Sequence, residues 1–296
     1  MSAVVVITGA SSGFGQDAAG RLARRGHRVY ATMRDVAGRN APSCIELEEL
    51  ALAEGLAITV LEMDVTQDGS VQTAIDRVLA EAGHIDVVIN NAGLTGIGVT
   101  EAYTPGQFLS MYDVNVCGAV RVNRAVLPSM RQRRGGLLIH VSSAAGRVVV
   151  PAMAAYCASK FALEALADVY RYELLPFGIE SVLVEPGIYA TAILDKMATP
   201  ADSARLADYG ADAGFADRVL GVFQGAMGAP DAPGSDDVAD VFVRLVETAA
   251  GERPFRTVVP APIEGLLHGY NATAEGLRPV VAQIFNVPEL AAHAAL

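Results

Sequence analysis

Cysteine is scarce in this chain: only Cys44, Cys117 and Cys157 occur in 296 residues, with no Cys-x-x-Cys pair among them. An odd, scattered set excludes a disulfide scaffold and a cysteine zinc site. The five histidines lack the His-Glu-x-x-His spacing of a helical zinc site, so no metal is expected. Long apolar runs are missing as well. No uninterrupted stretch approaches the ~18 residues of a membrane-spanning helix. No basic leader with a cleavage site precedes Val4-Val5-Val6-Ile7. Positive charge is in deficit: 22 Lys and Arg against 33 Asp and Glu leave a formal charge of −11. That balance speaks against a nucleic-acid or anionic-membrane surface. What remains is a soluble protein of a reducing compartment. It is expected to be cytoplasmic, with small molecules rather than nucleic acid or membrane as partners.

Aliphatic side chains are abundant. The hydrophobic share is 52%, and a chain of this length buries enough of it to fold without cross-links. Short β-branched runs alternate with helical patterns. Strands are predicted at residues 3–8, 28–33, 57–64, 87–91, 137–142 and 181–185, with a weaker seventh at 256–259. Most are continuously apolar, as strands covered on both faces are. Helices are predicted at 16–25, 44–54, 69–81, 105–134 with a break near Asn115, and 154–176. This alternation predicts one α/β domain over 1–296: a doubly wound, Rossmann-like parallel sheet with helices on both faces. Residues 224–236 are the most loop-like stretch and lead into a helix start at Ser235. Residues 201–296 hold 13 acids and 6 arginines, −7 of the total charge. They read as chain packed on the sheet rather than a second domain, with 251–296 as a C-terminal extension.

The run Thr8-Gly9-Ala10-Ser11-Ser12-Gly13-Phe14-Gly15 ends the first strand and opens the first helix. Glycine lets the backbone turn tightly and approach a pyrophosphate with no Cβ between them. The helix start adds unpaired N–H groups and a partial positive charge. Gly9, Ser11, Ser12, Gly13, Phe14 and Gly15 are therefore the candidate dinucleotide cradle. Strand, glycines and helix in this order are more specific than glycines alone. The end of strand 2, Tyr30-Ala31-Thr32-Met33-Arg34, bears on which dinucleotide binds. An NAD site places an acid there for the ribose 2′-OH. Met33 cannot accept that bond, whereas the Arg34 guanidinium suits a 2′-phosphate, with Ser12 as a further hydroxyl contact. NADP(H) is expected over NAD(H). Asp35 weighs against this by diluting the local charge, and Arg34 is also readable as one of twenty solvated arginines.

Tyr156 and Lys160 stand one helical turn apart in Tyr156-Cys157-Ala158-Ser159-Lys160, which brings the ammonium to the side of the phenol. A free phenol titrates near ~10. An ion pair at ~4 Å in an effective dielectric of ~20 is worth ~4 kcal/mol, about three pKa units. The expectation is a phenol shifted toward working pH and suited to general acid–base transfer. Lysine is rare, Lys160 and Lys196 standing against twenty arginines, so a compact ammonium at 160 marks a specific need. Ser142 and Ser143 follow an apolar strand at its C-terminal end, where ligands bind in parallel sheets. Position alone does not separate these two as the hydroxyl that polarises a carbonyl. Asn115 interrupts a helix and is placed to hold a water that links Lys160 to solvent. Its plain alternative is a polar residue that satisfies backbone groups.

Taken in order, residues 8–15, Asp64-Val65, Asn90-Asn91-Ala92-Gly93, 115–118, Ser143, 156–160, Pro186-Gly187 and Thr191 resemble the short-chain dehydrogenase/reductase family over about residues 3–195. The resemblance implies that Tyr156 is the acid/base and that Ser143 orients the carbonyl. It implies that Lys160 binds the nicotinamide ribose and lowers the tyrosine pKa, with Asn115 completing a proton relay. It places Asp64 at the adenine, Asn91 in support of the central sheet, and Ile188 and Thr191 at the carboxamide. Val65, Ala92, Gly93, Pro186 and Gly187 count with these as cofactor contacts. The thirteen-residue spacing from serine to tyrosine matches the family and favours Ser143 over Ser142. YATMRD, YCASKFALE and LLPFG further resemble its hydroxysteroid and retinol dehydrogenase-like branch. Residues 188–230 are then the substrate lid, whose Leu194, Phe215, Leu220 and Phe223 suit a hydrophobic, steroid- or retinoid-like substrate. The implied protein is an NADP(H)-dependent oxidoreductase that interconverts a ketone or aldehyde with an alcohol. It is implied to be a homodimer or homotetramer built on helices near 105–134 and 154–177. Two rivals are a nonenzymatic NADP-sensing regulator and a cofactor-retaining epimerase or lyase. Other motifs have plain readings: residues 131–134 a solvated basic turn, Cys157 a small buried filler, and Asn271-Ala272-Thr273 a glycosylation sequon of no consequence without secretion.

Overall fold

The structure is a computed structural model that describes residues 2–259 and 264–287. Seven strands form one sheet: β1 (Val4–Ile7), β2 (Arg28–Met33), β3 (Ile58–Glu62), β4 (Val87–Asn90), β5 (Gly136–Val141), β6 (Ile179–Glu185) and β7 (Arg256–Val258). Their order is β3-β2-β1-β4-β5-β6-β7 and every neighbouring pair is parallel. The chain winds outward in both directions from β1 and β4. That reversal opens a crevice at the carboxyl ends of these two strands.

The continuously apolar strands are explained by two covered faces. Val5 and Ile7 pack with Ala18 and Leu22 of α1 (Gly13–Arg24) and Val238 and Phe242 of α9 (Ser235–Glu247). Val4 and Val6 point the other way, to Ile75 and Val78 of α3 (Asp68–Ala82) and Val122 and Val126 of α5 (Gly118–Arg133). The period of two thus buries every residue of the strand, each valine or isoleucine worth ~1.5–3 kcal/mol relative to exposure. On β3 lies α2 (Ala41–Glu54), and beside β6 the long α6 (Ala154–Leu174). The helix expected over 105–134 is interrupted as predicted: α4 (Pro105–Tyr112) and α5 are joined by a π-turn at Asp113–Cys117, which holds Asn115.

One expectation fails. Residues 224–227 are not loop but the last turn of α8 (Gly214–Met227), which follows the short α7 (Ser203–Asp208). Phe215, Val219, Leu220 and Phe223 give α8 an apolar face that packs over the crevice. That packing outweighs the poor propensity of Gly221 and Gly225. Part of the acidic last third is used in pairing. Asp236 and Asp240 bind Arg21, Glu247 binds Arg25, and Glu275 binds Arg171, Arg256 and Arg278. These pairs hold α9, α10 (Glu264–Gly276) and α11 (Arg278–Ile284) to the sheet domain. Among the described residues no helix is long and apolar enough to cross a membrane.

Candidate active site

The crevice has a cavity volume of about 180 Å³. Its floor is built by contacts between the glycine loop and the segment after β4. Thr8 Oγ1 accepts hydrogen bonds from the Asn91 and Ala92 amides at 2.9 and 3.0 Å, and Asn91 Nδ2 donates to the Thr8 and Gly9 carbonyls at 2.8 and 3.0 Å. Gly9 has φ +67° and a Cβ there would lie 2.7 Å from Ala92 Cα; a Cβ on Gly15 would lie 2.6 Å from Asn91 Nδ2. Both glycines are therefore required by backbone approach. At the start of α1 no side chain caps the helix and no acid occupies its first turn. Its first N–H groups are left as a site for an anion.

Of the residues expected in a cofactor cradle, Gly9, Ser11, Ser12, Gly13, Phe14, Arg34, Asp64, Val65, Asn91, Ala92, Gly93, Tyr156, Lys160 and Thr191 all line this crevice. Gly15 sits behind the lining, against Asn91. Pro186, Gly187 and Ile188 are not in the wall. The Pro186 carbonyl instead accepts from the Ala144 amide at 2.9 Å, which ties the two loops beyond β5 and β6. Two cations that the sequence reading did not assign to the site also line it, Arg39 and Lys196. Lys196 Nζ donates to Ser12 Oγ at 2.8 Å across the mouth of the crevice. Burial, Arg39 and Arg34 all hold its pKa below the ordinary lysine value. Asp35 shapes the turn beside Arg34. It adopts φ +52° and its carboxylate accepts from the Arg39 amide at 2.8 Å, which folds the turn that brings Arg39 back to the crevice.

At the other end stands Tyr156, 9% exposed. Ser143 pulls the phenol's pKa down against burial, while its Oγ accepts from the Ala145 amide at 3.1 Å. Ser142 lines the crevice wall, and its Oγ lies with Glu164 against Gly146. Lys160 is not in an ion pair with the phenol. Its Nζ donates to the Val141 carbonyl at 2.8 Å and lies 5.8 Å from the centre of the Tyr156 ring. The expected three-unit fall of the phenol pKa does not appear in the protein alone. Burial pushes Tyr156 up to about 12, against the pull of Ser143, and pushes Lys160 down to about 8. The ammonium is engaged elsewhere, and a buried phenolate has lost its water. Asn115 is also more occupied than expected. Its Oδ1 accepts from the Leu94 amide at 2.7 Å, and its Nδ2 donates to the Leu94 carbonyl at 3.0 Å and to Ser159 Oγ at 2.8 Å. It fastens the π-turn to α6, and a Cβ on Gly93 would fall 3.5 Å from its Oδ1 and 3.7 Å from Lys160 Nζ.

The segment expected to be the lid packs beside Tyr156. Tyr156 belongs to one apolar cluster with Ile97, Met111 and Met153, against which Leu194, Met197, Phe215, Leu220 and Phe223 pack. The lid is anchored by Tyr103 Oη to the Ala198 carbonyl at 2.7 Å and by Gln107 Nε2 to the Thr199 carbonyl at 2.7 Å.

A model of the short chain dehydrogenase family matches residues 3–202. The human 17-beta-hydroxysteroid dehydrogenase type 1 is 40% identical over 199 residues, 66% of this chain and 59% of that protein. Retinol dehydrogenase 8 of Bos taurus is 38% identical over 196 residues, 65% of this chain and 61% of that one. The chain thus matches about three fifths of the length of either relative. A solved short-chain dehydrogenase from Streptomyces avermitilis superimposes with a TM-score of 0.75 at 27% identity, over 97% of this chain and 98% of the other. Among other solved structures of similar fold, one from Burkholderia phymatum holds NAD and a metagenomic one holds NADP. The chain belongs to the short-chain dehydrogenase family of oxidoreductases, in its hydroxysteroid and retinol dehydrogenase-like branch.

Proposed function

We propose that the protein is an NADP(H)-dependent oxidoreductase that interconverts a ketone or aldehyde with an alcohol on an apolar, steroid- or retinoid-like substrate. The observation that carries this reading is one crevice with Tyr156 and Lys160 at one end and the three cations Arg34, Arg39 and Lys196 at the other. The residues present fit a phosphorylated dinucleotide. Gly9 and Gly13 leave no side chain over the loop, the uncapped start of α1 suits the pyrophosphate, and Arg34, Arg39 and Lys196 suit an added phosphate. A bound dinucleotide supplies the hydride acceptor or donor; the chain supplies position and the proton.

The chain's part divides as follows. Ser143 holds its hydroxyl beside the phenol, so both can bond one carbonyl oxygen. Tyr156, with its pKa above the ordinary value, keeps its proton at neutral pH and holds it ready for that oxygen as charge develops. Lys160, fixed on the Val141 carbonyl, stabilises negative charge on the phenol once its proton has left. The apolar lid excludes water and favours a substrate without charge near the reacting carbon. Leu109, Tyr112, Phe161 and Val169, exposed on α4 and α6, support a homo-oligomer packed through those helices.

Two tests address the reading. A panel of apolar ketones and secondary alcohols, followed at the reduced-cofactor absorbance band, should reveal turnover with NADPH. No turnover across such a panel would count against an oxidoreductase and for a sensor. The second test concerns the phosphate. A charge-assisted hydrogen bond is worth ~1.5–3 kcal/mol, and ~1.4 kcal/mol is a tenfold change in affinity. Arg34→Ala and Lys196→Met should each weaken NADPH about tenfold or more, with NADH changed less than about threefold. Fluorescence titration of both cofactors checks this, and equal weakening of the two would remove the 2′-phosphate role.

A further inference from the structure

Behind the helix that carries Tyr156 and Lys160 lies a polar cluster that no step above uses. Glu164 of α6, Glu185 at the end of β6, Arg147 after the Ser143 turn and Arg256 of β7 meet there, with side chains between 0% and 11% exposed. Arg256 reaches Glu164 at 3.0 Å and Glu185 at 3.4 Å. Arg147 stays back, 4.0 Å from Glu164 and 3.9 Å from Glu185. Asn271 of α10 closes that gap. Its Oδ1 accepts from Arg147 Nε at 2.8 Å and its Nδ2 donates to Glu185 Oε2 at 2.7 Å. The next residue back, Tyr270, places its ring under the Arg147 guanidinium at 4.5 Å.

The two partners of Asn271 belong to the two stretches that frame the site. Arg147 ends the turn that starts at Ser143, closed by the Gly146 amide on the Ser143 carbonyl at 2.8 Å. Glu185 directly precedes Pro186-Gly187, whose Pro186 carbonyl holds the Ala144 amide. Among ordinary side chains a carboxamide is suited to both tasks at once. It donates to a carboxylate with one end and accepts from a guanidinium with the other, whereas a carboxylate can only accept. The side chain is 7% exposed, and both bonds it makes are internal. The amide of the Asn271-Ala272-Thr273 sequon is spent inside the fold rather than offered at the surface.

We propose that Asn271 is a positioning residue: it clamps the Ser143 turn to the end of β6 and makes the C-terminal helix α10 a working part of the active-site frame. Its effect on turnover rests on the oxidoreductase reading; the clamp itself does not. The test uses the full chain with Asn271→Leu, which removes both bonds, and with Phe242→Leu in the distant core between α1 and α9 as a control for general destabilisation. Hydrogen–deuterium exchange is read at residues 143–148 and 186–191, with kcat, KM and the thermal midpoint measured in parallel. Asn271→Leu should speed exchange at least fivefold in both segments and lower kcat about tenfold. Phe242→Leu, at a similar midpoint, should leave both segments and kcat within twofold of the original. Asn271→Ser, a milder change, should give the same ordering where the leucine variant does not fold. Unchanged exchange in the two segments, or an equal loss of kcat in the Phe242 variant, overturns the clamp. Faster exchange in a protein that turns over no carbonyl compound upholds the clamp and removes the oxidoreductase reading instead.

Discussion

Tyr156→Phe should lower turnover of any accepted ketone by about 10²–10⁴-fold, the range that a positioned proton donor contributes. The substitution is narrow. Phenylalanine keeps the ring in the apolar cluster with Ile97, Met111 and Met153 and removes only the hydroxyl. Loss of one hydrogen bond costs ~1 kcal/mol of stability, so the thermal midpoint should move by only a few degrees. NADPH affinity should stay within about threefold, because the cations and glycines that suit the phosphates lie at the far end of the crevice. Single-turnover kinetics and a fluorescence titration separate the two effects. A variant that keeps more than a tenth of the original rate would show that the proton comes from elsewhere. Loss of cofactor binding together with rate would show that Tyr156 holds the site's shape instead.

The parts of this site that sequence revealed are those fixed by local backbone. Gly9 and Gly15 are legible because contact with residues 91–92 forbids a Cβ. Strands β1, β2, β4, β5 and β6 are legible because apolar runs buried on both faces have little other meaning, whereas β7, Arg256–Val258, is short and half-buried and gives a weaker signal. The i, i+4 spacing of Tyr156 and Lys160 correctly put them on one helix face. It could not show that the ammonium would bond the Val141 carbonyl, nineteen residues away in β5, nor that burial would raise the phenol rather than the ammonium lowering it. Arg39 was hidden for a similar reason. Its approach to the crevice depends on Asp35 in a left-handed conformation, which is rare for a non-glycine residue and carries no reliable sequence signal. Lys196 had a usable signal. The rarity of lysine that marks Lys160 marks it equally, and it is the lid residue that reaches Ser12. Asn271 was read as part of a sequon of no consequence without secretion, and only tertiary packing shows its amide turned inward.

Arg256→Met should be the most damaging substitution for stability outside the hydrophobic core. Arg256 is 5% exposed and bonds Glu164 at 3.0 Å, Asp168 at 2.6 Å and Glu275 at 3.1 Å, with Glu185 at 3.4 Å. Methionine fills much of the same volume and takes away the charge. Glu164 and Glu185, 3% and 0% exposed, then face each other with the more distant Arg147 and, beside Glu164, Lys160 as the remaining cations. Removing one partner of a buried ion pair costs ~3–5 kcal/mol, since the other charge stays without compensation. The cost should depend on pH with a definite sign. Burial and mutual repulsion already raise Glu164 to about 7, and burial raises Glu185. A carboxyl whose folded pKa lies above its unfolded value stabilises the fold fully below that unfolded value. It loses that contribution as pH rises through the folded pKa. Arg256 opposes the rise in both groups, so its loss pushes them higher still. The stability gap between the original protein and the variant should therefore be largest near pH 8 and shrink toward pH 5, where the two carboxyls bind protons in the folded variant. Buried His140, held down to about 3, destabilises both proteins alike as pH falls below its ordinary 6.5 and cancels from the difference. Urea unfolding of both proteins at the two pH values gives the gap directly. A gap below about 1 kcal/mol, or one that does not change with pH, would mean that the four charges are hydrated in solution and that Arg256 is not what holds them.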